Sequence, residues 1–233
     1  VPFGAIEVPA NTSFAVELDA GELSTGYFRL RTAGGAGSAV KITYAESYSA
    51  PPAVQYRLKG LRDDSRNYEL FGYFDVYRPS GHGDAYEPYW WRTFRFVRVE
   101  VQTGSEPLRL LEPDFEDVGY PLTELSAISS RSCDWLDPLW RISVRTLQRC
   151  THETHEDCPY YEQLQYALDT RLQILFAYAL GNDATLARKT IEDFHSTLMP
   201  EGLTYCRAPS DEPAVIPVFS LYWIMMLEDY YEQ

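Results

Sequence analysis

The sequence predicts a chain that is β first and α second. We expect an antiparallel β-sandwich over residues 1–126 and the beginning of an all-α domain over residues 127–233. Three observations predict this order: apolar and polar residues alternate with period two in the first half, the period becomes helical after about residue 127, and no strand pattern returns. The composition, with 45% hydrophobic and 23% charged residues, is that of an ordinary globular protein.

Three segments of the first half alternate as half-buried strands do, with β-branched and aromatic residues at every second position. Their apolar residues are Phe28 and Leu30, then Val40, Ile42 and Tyr44, then Phe94, Phe96, Val97, Val99 and Val101. Turn residues separate the strands at Gly34-Gly35, at Pro51-Pro52, at Asp63-Asp64 and at 79–84 (PSGHGD). Many short strands without intervening helices favour an antiparallel β-sandwich.

Four helices are predicted in the second half from apolar residues near 3.6 spacing and from their end signals. They are a first helix capped by Asp137-Pro138 and running to Cys150, a second from about Pro159 to Leu180 stopped by Gly181, a third capped by Asp183 and ending at Pro200, and a fourth from about Pro217 to Tyr231. The second half is therefore the beginning of a helical domain.

The charge excludes some classes of partner. The net charge is −14, from 34 acidic and 20 basic residues, which disfavours nucleic acid and anionic membranes as partners. The longest near-apolar run, 214–227, contains Pro217 and Ser220 and is too short to span a bilayer. The sequence begins with Val1 rather than Met and ends in a predicted helix, so we expect a segment of a longer protein. It leaves open the oligomeric state and whether the protein is cytoplasmic or secreted.

Four cysteines, Cys133, Cys150, Cys158 and Cys206, are spread over the second half. None forms a C-x-x-C pair, which argues against a structural zinc site. An even number permits disulfides without demanding them, and such sparse cysteine favours buried or free thiols.

The densest polar cluster is residues 151–163 (THETHEDCPYYEQ). A metalloprotease helix needs two histidines four residues apart, whereas His152 and His155 are three apart and Pro159 soon interrupts. A metal site is therefore the weaker interpretation, and a solvated acidic loop is the simpler one.

Helix geometry favours a third interpretation of this cluster. In a helix that begins near Pro159, Glu162, Tyr166 and Asp169 share the face opposite the apolar stripe, and Asp157 lies just before it. No Lys or Arg occurs between residues 157 and 170 to pair with these acids. Carboxylates held close together raise one pKa, as a general acid near neutral pH requires, and Tyr166 offers a ring for a sugar.

Residues 157–163 (DCPYYEQ), with Asp169 following, resemble the signature of the α-L-rhamnosidases of glycoside hydrolase family 78. Other segments resemble the family in the same order. They are 86–101, similar to the strand before the barrel, 132–140, similar to the first barrel helix, and 216–224, similar to a later barrel segment. The resemblance covers most of the chain from about residue 40, and the acidic motif is its most specific part.

The resemblance implies an (α/α)6 barrel, of which this chain holds only the first helices, with β-sandwich domains before and after it. It also implies inverting hydrolysis of terminal α-L-rhamnose from a rhamnose-containing glycoside or oligosaccharide. An inverting glycosidase places a general acid and a general base on opposite sides of the bond, and needs neither a cofactor nor a metal.

The resemblance also assigns roles to individual residues. Glu162 would be the general acid, and Asp157 and Asp169 would hydrogen-bond rhamnose hydroxyls. Tyr166 takes a position where the family usually has an aromatic ring, and Asp211 matches an acidic position, as a candidate sugar contact.

The general base of the family is a Glu much later in the barrel, and we expect it beyond Gln233. The chain departs from the family at Tyr160-Tyr161, where many members carry an Arg-Asp pair.

Two alternatives remain open from the sequence. The first is a carbohydrate-binding or degenerate relative that keeps the aromatic and Asp contacts but lacks a competent acid–base pair. The second is a metal hydrolase that uses His152 and His155, whose activity a chelator would abolish. The sequence does not define the aglycone or the rhamnosyl linkage.

Overall fold

The computed structural model describes residues 4–50 and 61–233. The predicted turn at Pro51-Pro52 lies outside the described residues. The chain divides into two compact units, Val1–Val118 and Gly119–Gln233.

The described part of the first unit forms an antiparallel β structure of short strands around one long strand. The strands are β1 Ile6–Val8, β2 Ser13–Gly34, β3 Ala39–Ala45, β4 Tyr48–Ser49, β5 Glu69–Leu70, β6 Tyr73–Tyr77, β7 Gly81–Tyr86, β8 Arg92–Gln102, β9 Leu108–Leu110 and β10 Asp114–Asp117. The three segments predicted from alternation all lie in strands, namely β2, β3 and β8.

Strand β2 joins two antiparallel layers because it is long enough to belong to both. Its first part, residues 13–26, pairs with β8, and its last part, residues 30–34, pairs with β7 and β9. The strand order is β1-β9-β2-β8-β3-β6, with β7 and β10 also paired to β2. This arrangement confirms the predicted β-sandwich.

The core of the sandwich consists of the apolar positions of the alternating segments. Val40, Ile42 and Tyr44 of β3 and Val99 of β8 are buried, and they pack in one cluster with residues of the other layer such as Leu110. Each large apolar side chain buried in this way contributes about 1.5–3 kcal/mol. The period-two pattern therefore follows from one face of each strand being withdrawn from water.

The segment 79–84 was predicted as a turn, and that prediction is wrong for most of its length. Gly81 begins β7, and Asp84 pairs with Thr32 of β2. The local turn chemistry is present, because the Asp84 carboxylate accepts hydrogen bonds from Ser80 N and Oγ at 2.7 and 2.8 Å. Pairing with the long β2 nevertheless sets the backbone conformation of residues 81–86.

The second unit contains the four helices that the sequence predicts. They are α1 Leu136–Arg149, α2 Ala167–Gly181, α3 Thr185–His195 and α4 Pro217–Glu232. Asp137 lies within the first turn of α1 rather than capping it, and it accepts a hydrogen bond from Arg141 Nη2 at 2.5 Å. The N-cap of α3 is Ala184 rather than the predicted Asp183, although Asp183 Oδ1 accepts the Thr185 N–H at 2.9 Å.

Helix α2 begins at Ala167 and not near Pro159, so the predicted helix face is wrong. Gln163 adopts a left-handed backbone conformation, with φ +57°, and Tyr166 is extended, with ψ 139°. Neither conformation continues a helix. Glu162 and Tyr166 therefore precede the helix, and only Asp169 lies in it.

Helices α2, α3 and α4 enclose the core of the second unit. The core contains Ile174 and Tyr178 of α2, Phe194 of α3 and Met226 of α4. An ion pair between Arg171 Nε and Asp229 Oδ2 at 2.7 Å also joins α2 to α4. No helix among residues 4–50 and 61–233 is long and apolar enough to cross a membrane.

The end of α2 depends on Gly181, a residue without a side chain. Gly181 is the last residue of the helix, and Asn182 forms the left-handed cap with φ 58°. Leu125 N and Ser126 N both donate to Leu180 O at 2.9 Å, so the preceding segment of the chain lies against this turn.

We predict that Gly181→Ala lowers the free energy of unfolding by about 1–3 kcal/mol, as overpacking does. The added Cβ would overlap the backbone carbonyl of Thr123, which has no rotamer in which to move aside. Urea unfolding checks this against Gly119→Ala, whose Cβ would lie at an ordinary 3.4 Å from Gln148 O. Equal midpoints for the two variants would contradict the prediction.

Candidate active site

The acidic motif forms a closed loop whose two ends are Asp157 and Leu164. Asp157 N donates to Leu164 O at 2.9 Å, and Leu164 N donates back to Asp157 Oδ1 at 3.0 Å. The same Oδ1 accepts the N–H of Cys158 at 2.7 Å. One carboxylate oxygen therefore holds both ends of the loop, and Oδ2 remains for other partners.

The inside of the loop is fixed by Gln163 and Cys158. Gln163 N donates to Cys158 O at 3.1 Å, and its side-chain Nε2 donates to Pro159 O at 2.9 Å. Glu162 N lies 3.3 Å from Cys158 Sγ. Tyr160 is buried beneath the loop, whereas Glu162 is exposed. This loop presents the Glu162 carboxyl to solvent from a defined backbone position.

Glu162 and Asp157 form a hydrogen-bonded carboxyl pair. The hydrogen bond with Asp157 and the negative charge of Asp157 raise the pKa of Glu162, and the charge of Asp169 adds to this effect. A carboxyl group beside a second acidic group keeps its proton to higher pH than an isolated one, because the neighbouring negative charge disfavours ionisation.

Gln165 anchors the segment that follows the loop. Its Nε2 donates to Ala208 O at 2.6 Å and to Asp193 Oδ2 at 3.1 Å. Its Oε1 accepts the His155 N–H at 3.2 Å and the Thr190 hydroxyl at 2.9 Å. This buried amide thus connects the acidic loop, helix α3 and the chain near residue 208.

Tyr166 pairs with a residue that sequence reasoning missed, Arg207. The two residues form an isolated antiparallel bridge. Arg207 Nη1 donates to Tyr166 Oη at 3.1 Å, and Nη2 donates to Glu212 Oε2 at 2.8 Å. The charge of Arg207 opposes that of Asp157 and lowers the pKa of Glu162. The sequence signal for this residue was the lack of Lys or Arg between residues 157 and 170. A cation that pairs with these acids therefore has to lie in another segment of the chain.

The structure brings together four of the five predicted site residues. Asp157 and Glu162 are in contact, Asp169 in the first turn of α2 acts on Glu162 through its charge, and Tyr166 is linked to Glu162 through Arg207. The fifth residue, Asp211, is exposed in the loop before α4, and no contact in the described residues joins it to the other four.

The two histidines of the motif are buried behind the loop. His152 Nδ1 lies 3.0 Å from both carboxylate oxygens of Glu156. Burial lowers the pKa of His155 to about 4, and its Nδ1 lies 3.5 Å from Thr151 Oγ1. Among residues 4–50 and 61–233, no group of three or more His, Cys, Asp or Glu is arranged to hold a metal ion.

All four cysteines are free thiols, in agreement with the interpretation that the sequence favoured. Cys150 and Cys206 are buried, and Cys133 and Cys158 are partly buried. Burial raises the pKa of Cys150 to about 12, so this thiol is neutral at physiological pH.

Comparison with solved structures identifies the fold. The chain is similar to a GH78 family rhamnosidase of Bacillus sp. GL1, with a TM-score of 0.77 and 22% identity over 97% of this chain and 22% of that one. It is similar to a rhamnosidase from Klebsiella oxytoca determined with rhamnose bound, with a TM-score of 0.76 and 21% identity over 97% of this chain and 45% of that one.

A third similar structure is the α-L-rhamnosidase from Dictyoglumus thermophilum, with a TM-score of 0.64 and 16% identity over 97% of this chain and 27% of that one. The chain thus spans less than half of each of these proteins. No curated protein matched the sequence. At these identities the likeness establishes the fold.

The helical unit also has a sequence match to a family model. Residues 125–233 match the family model described as the bacterial alpha-L-rhamnosidase 6 hairpin glycosidase domain. The match includes all four helices and the whole acidic loop. It confirms the predicted fold class, a β-sandwich followed by the first helices of a six-hairpin barrel. The helical unit of this chain is therefore similar to the six-hairpin glycosidase domain of bacterial α-L-rhamnosidases.

Proposed function

We propose that this chain supplies the general acid and the sugar contacts of a glycoside hydrolase that removes terminal α-L-rhamnose with inversion. The observation that carries the proposal is the hydrogen-bonded pair of Asp157 and Glu162, in which the exposed partner has a raised pKa. A protonated, solvent-accessible carboxyl group is what donation to a leaving oxygen requires. The family match supports the reaction class.

In this mechanism Glu162 gives its proton to the glycosidic oxygen as the bond to the sugar breaks. The loop fixes the Glu162 backbone, and Asp157 keeps the proton on Glu162 until the oxygen develops charge. Asp157 and Asp169 accept hydrogen bonds from rhamnose hydroxyls, and the ring of Tyr166 lies along the sugar. Asp211 is a further candidate contact from the loop before α4.

The second half of the reaction requires a general base that activates water on the opposite face of the sugar. In inverting glycosidases the two carboxyl groups are roughly 6.5–9.5 Å apart, which leaves room for that water. We propose that this base is a Glu of a later barrel segment, beyond residue 233. Proton transfer between carboxyl groups and water needs no cofactor.

The choice of α-L-rhamnose is supported by the similar structures. Each of the three is described as a rhamnosidase, and the Klebsiella oxytoca protein was determined with rhamnose bound. The acidic residues of this chain suit a sugar ligand, because carboxylates accept hydrogen bonds from several hydroxyls at once.

We predict that Glu162→Gln in the full-length protein lowers kcat on a natural flavonoid rhamnoside by about 10²–10⁴-fold. The amide cannot donate a proton to the leaving oxygen, while it fills the same space. On an activated nitrophenyl rhamnoside we expect a smaller loss, since that leaving group departs with little protonation.

The matched control is Glu153→Gln, an exposed glutamate of the same polar cluster, which should retain wild-type kcat. Equal losses in the two variants would contradict the role of Glu162. A folded parent protein that binds rhamnose but hydrolyses neither substrate would instead support a carbohydrate-binding relative.

We predict that Asp157→Asn moves the alkaline limb of the kcat/KM profile to lower pH. The charge of Asp157 raises the pKa of Glu162, so its removal lets Glu162 lose the catalytic proton at lower pH. The variant keeps an oxygen that can accept the Cys158 and Leu164 N–H groups. Rates measured against pH check this, and an unchanged limb would contradict the coupling.

A further inference from the structure

We propose that Arg207 is a positioning residue that orients the Tyr166 phenol so that its hydrogen points to a hydroxyl or ring oxygen of the glycoside. The inference rests on the proposed function, because it concerns the same sugar subsite. It adds a phenolic donor to a site whose other predicted contacts, Asp157, Asp169 and Asp211, carry carboxyl groups.

The backbone of Arg207 is held against that of Tyr166. Ala167 N donates to Cys206 O at 3.0 Å, and Ala208 N donates to Gln165 O at 3.1 Å. These two bonds flank the Tyr166–Arg207 bridge on both sides. The two side chains therefore start from fixed positions, although the residues are 41 apart in the sequence.

The guanidinium of Arg207 has partners that define its orientation. Nη1 donates to Tyr166 Oη at 3.1 Å, Nη2 donates to Glu212 Oε2 at 2.8 Å, and Nε lies 3.4 Å from Ser210 Oγ. The Arg207 side chain is 19% exposed, whereas that of Glu212 is 77% exposed. Arg207 is thus the inner member of this ion pair.

The direction of the hydrogen bond determines what Tyr166 can do. An arginine side chain has donors only, so the Tyr166 oxygen must accept. The phenolic hydrogen is then left to donate to another group. The ring has one further aromatic neighbour, Phe219, whose centroid lies 6.3 Å away in an edge contact. The phenol is consequently held at its oxygen and along one edge, with the hydrogen available to a ligand.

The same ion pair reaches the loop that carries Asp211. Glu212 binds Arg207 and directly follows Asp211, and Ser210 Oγ donates to Glu212 O at 3.1 Å. Arg207 therefore connects Tyr166 to the loop that carries Asp211, two segments that are far apart in the sequence.

The test is a double-mutant cycle in the full-length enzyme on an aryl α-L-rhamnoside, with Arg207→Met, Tyr166→Phe and the double variant. We expect each single change to raise KM by about 3–10-fold, the effect of one lost hydrogen bond, with a smaller change in kcat. The double variant should be much less impaired than the product of the two single effects. Arg207→Lys should recover part of the loss.

The pH profile of kcat/KM is a second measurement. It would not change if Arg207 had a merely structural role. Within the described part of the chain, the charges of Asp157 and Asp169 raise the pKa of Glu162, and that of Arg207 lowers it. Arg207→Met should therefore move the alkaline limb of kcat/KM to higher pH. The control is Arg188→Met, an exposed arginine paired with Glu192 at 3.0 Å, which should change neither KM nor the limb.

The inference would be overturned if the rise in KM of the double variant equalled the product of the two single effects. It would also be overturned if Arg207→Met left the alkaline limb of kcat/KM unchanged. Thermal unfolding of each variant identifies any that do not fold, and Tyr166→Phe remains informative because it removes a single oxygen. If the parent does not turn over rhamnoside, the proposed function fails, and the same cycle is measured by calorimetry with free L-rhamnose. Absence of rhamnose binding by the folded parent would overturn both.

Discussion

The two hydrogen bonds that Asp157 Oδ1 accepts from Cys158 N and Leu164 N are the constraint on which the candidate site depends. Hydrogen bonds to a charged group contribute about 1.5–3 kcal/mol each, enough to hold a short loop against its conformational entropy. They bring Glu162 beside Asp157. The raised pKa of Glu162 follows from the same carboxylate that closes the loop.

A second set of contacts places this loop within the helical unit. Gln165 joins the acidic motif to α3 and to Ala208, and each of its polar atoms has a buried or partly buried partner. An unsatisfied buried amide would cost about 1–3 kcal/mol, so these partners are required together. The contacts of Gln165 place Arg207 beside Tyr166. Arg207 is the cation that the acidic motif itself lacks.

The sequence predicts the sandwich strands and three of the four helix starts to within a few residues. It does so because burial of one face of a strand or helix makes apolar residues recur at a regular spacing. The start of α2 is wrong for a physical reason. Residues 159–166 contain no residue that forbids a helix after Pro159, but side-chain bonds to Asp157 and the left-handed Gln163 hold them in a loop. Such bonds leave no periodic signal.

Although the predicted start of α2 is wrong, the acidic residues Asp157 and Glu162 do lie close together. Asp157 and Glu162 were expected to be close through helix geometry, and they are close because a loop folds back on Asp157. The place of Arg207 could not be predicted, since its pairing with Tyr166 depends on two backbone hydrogen bonds between distant segments. The role of Asp211 stays a prediction, because its loop contacts Arg207 through the neighbouring residues Ser210 and Glu212.

In the proposed mechanism Glu162 serves as the general acid because the charge of Asp157 raises its pKa. The most direct measurement is a carbon-13 NMR titration of glutamate side-chain carboxyls in the full-length protein, with the Asp157→Asn variant titrated beside it. We expect Glu162 to titrate above the ordinary glutamate pKa of about 4.3, and at lower pH in the variant than in the parent. A Glu162 that titrates at or below the ordinary value, or equally in both proteins, would contradict the proposed role of Glu162 as the general acid.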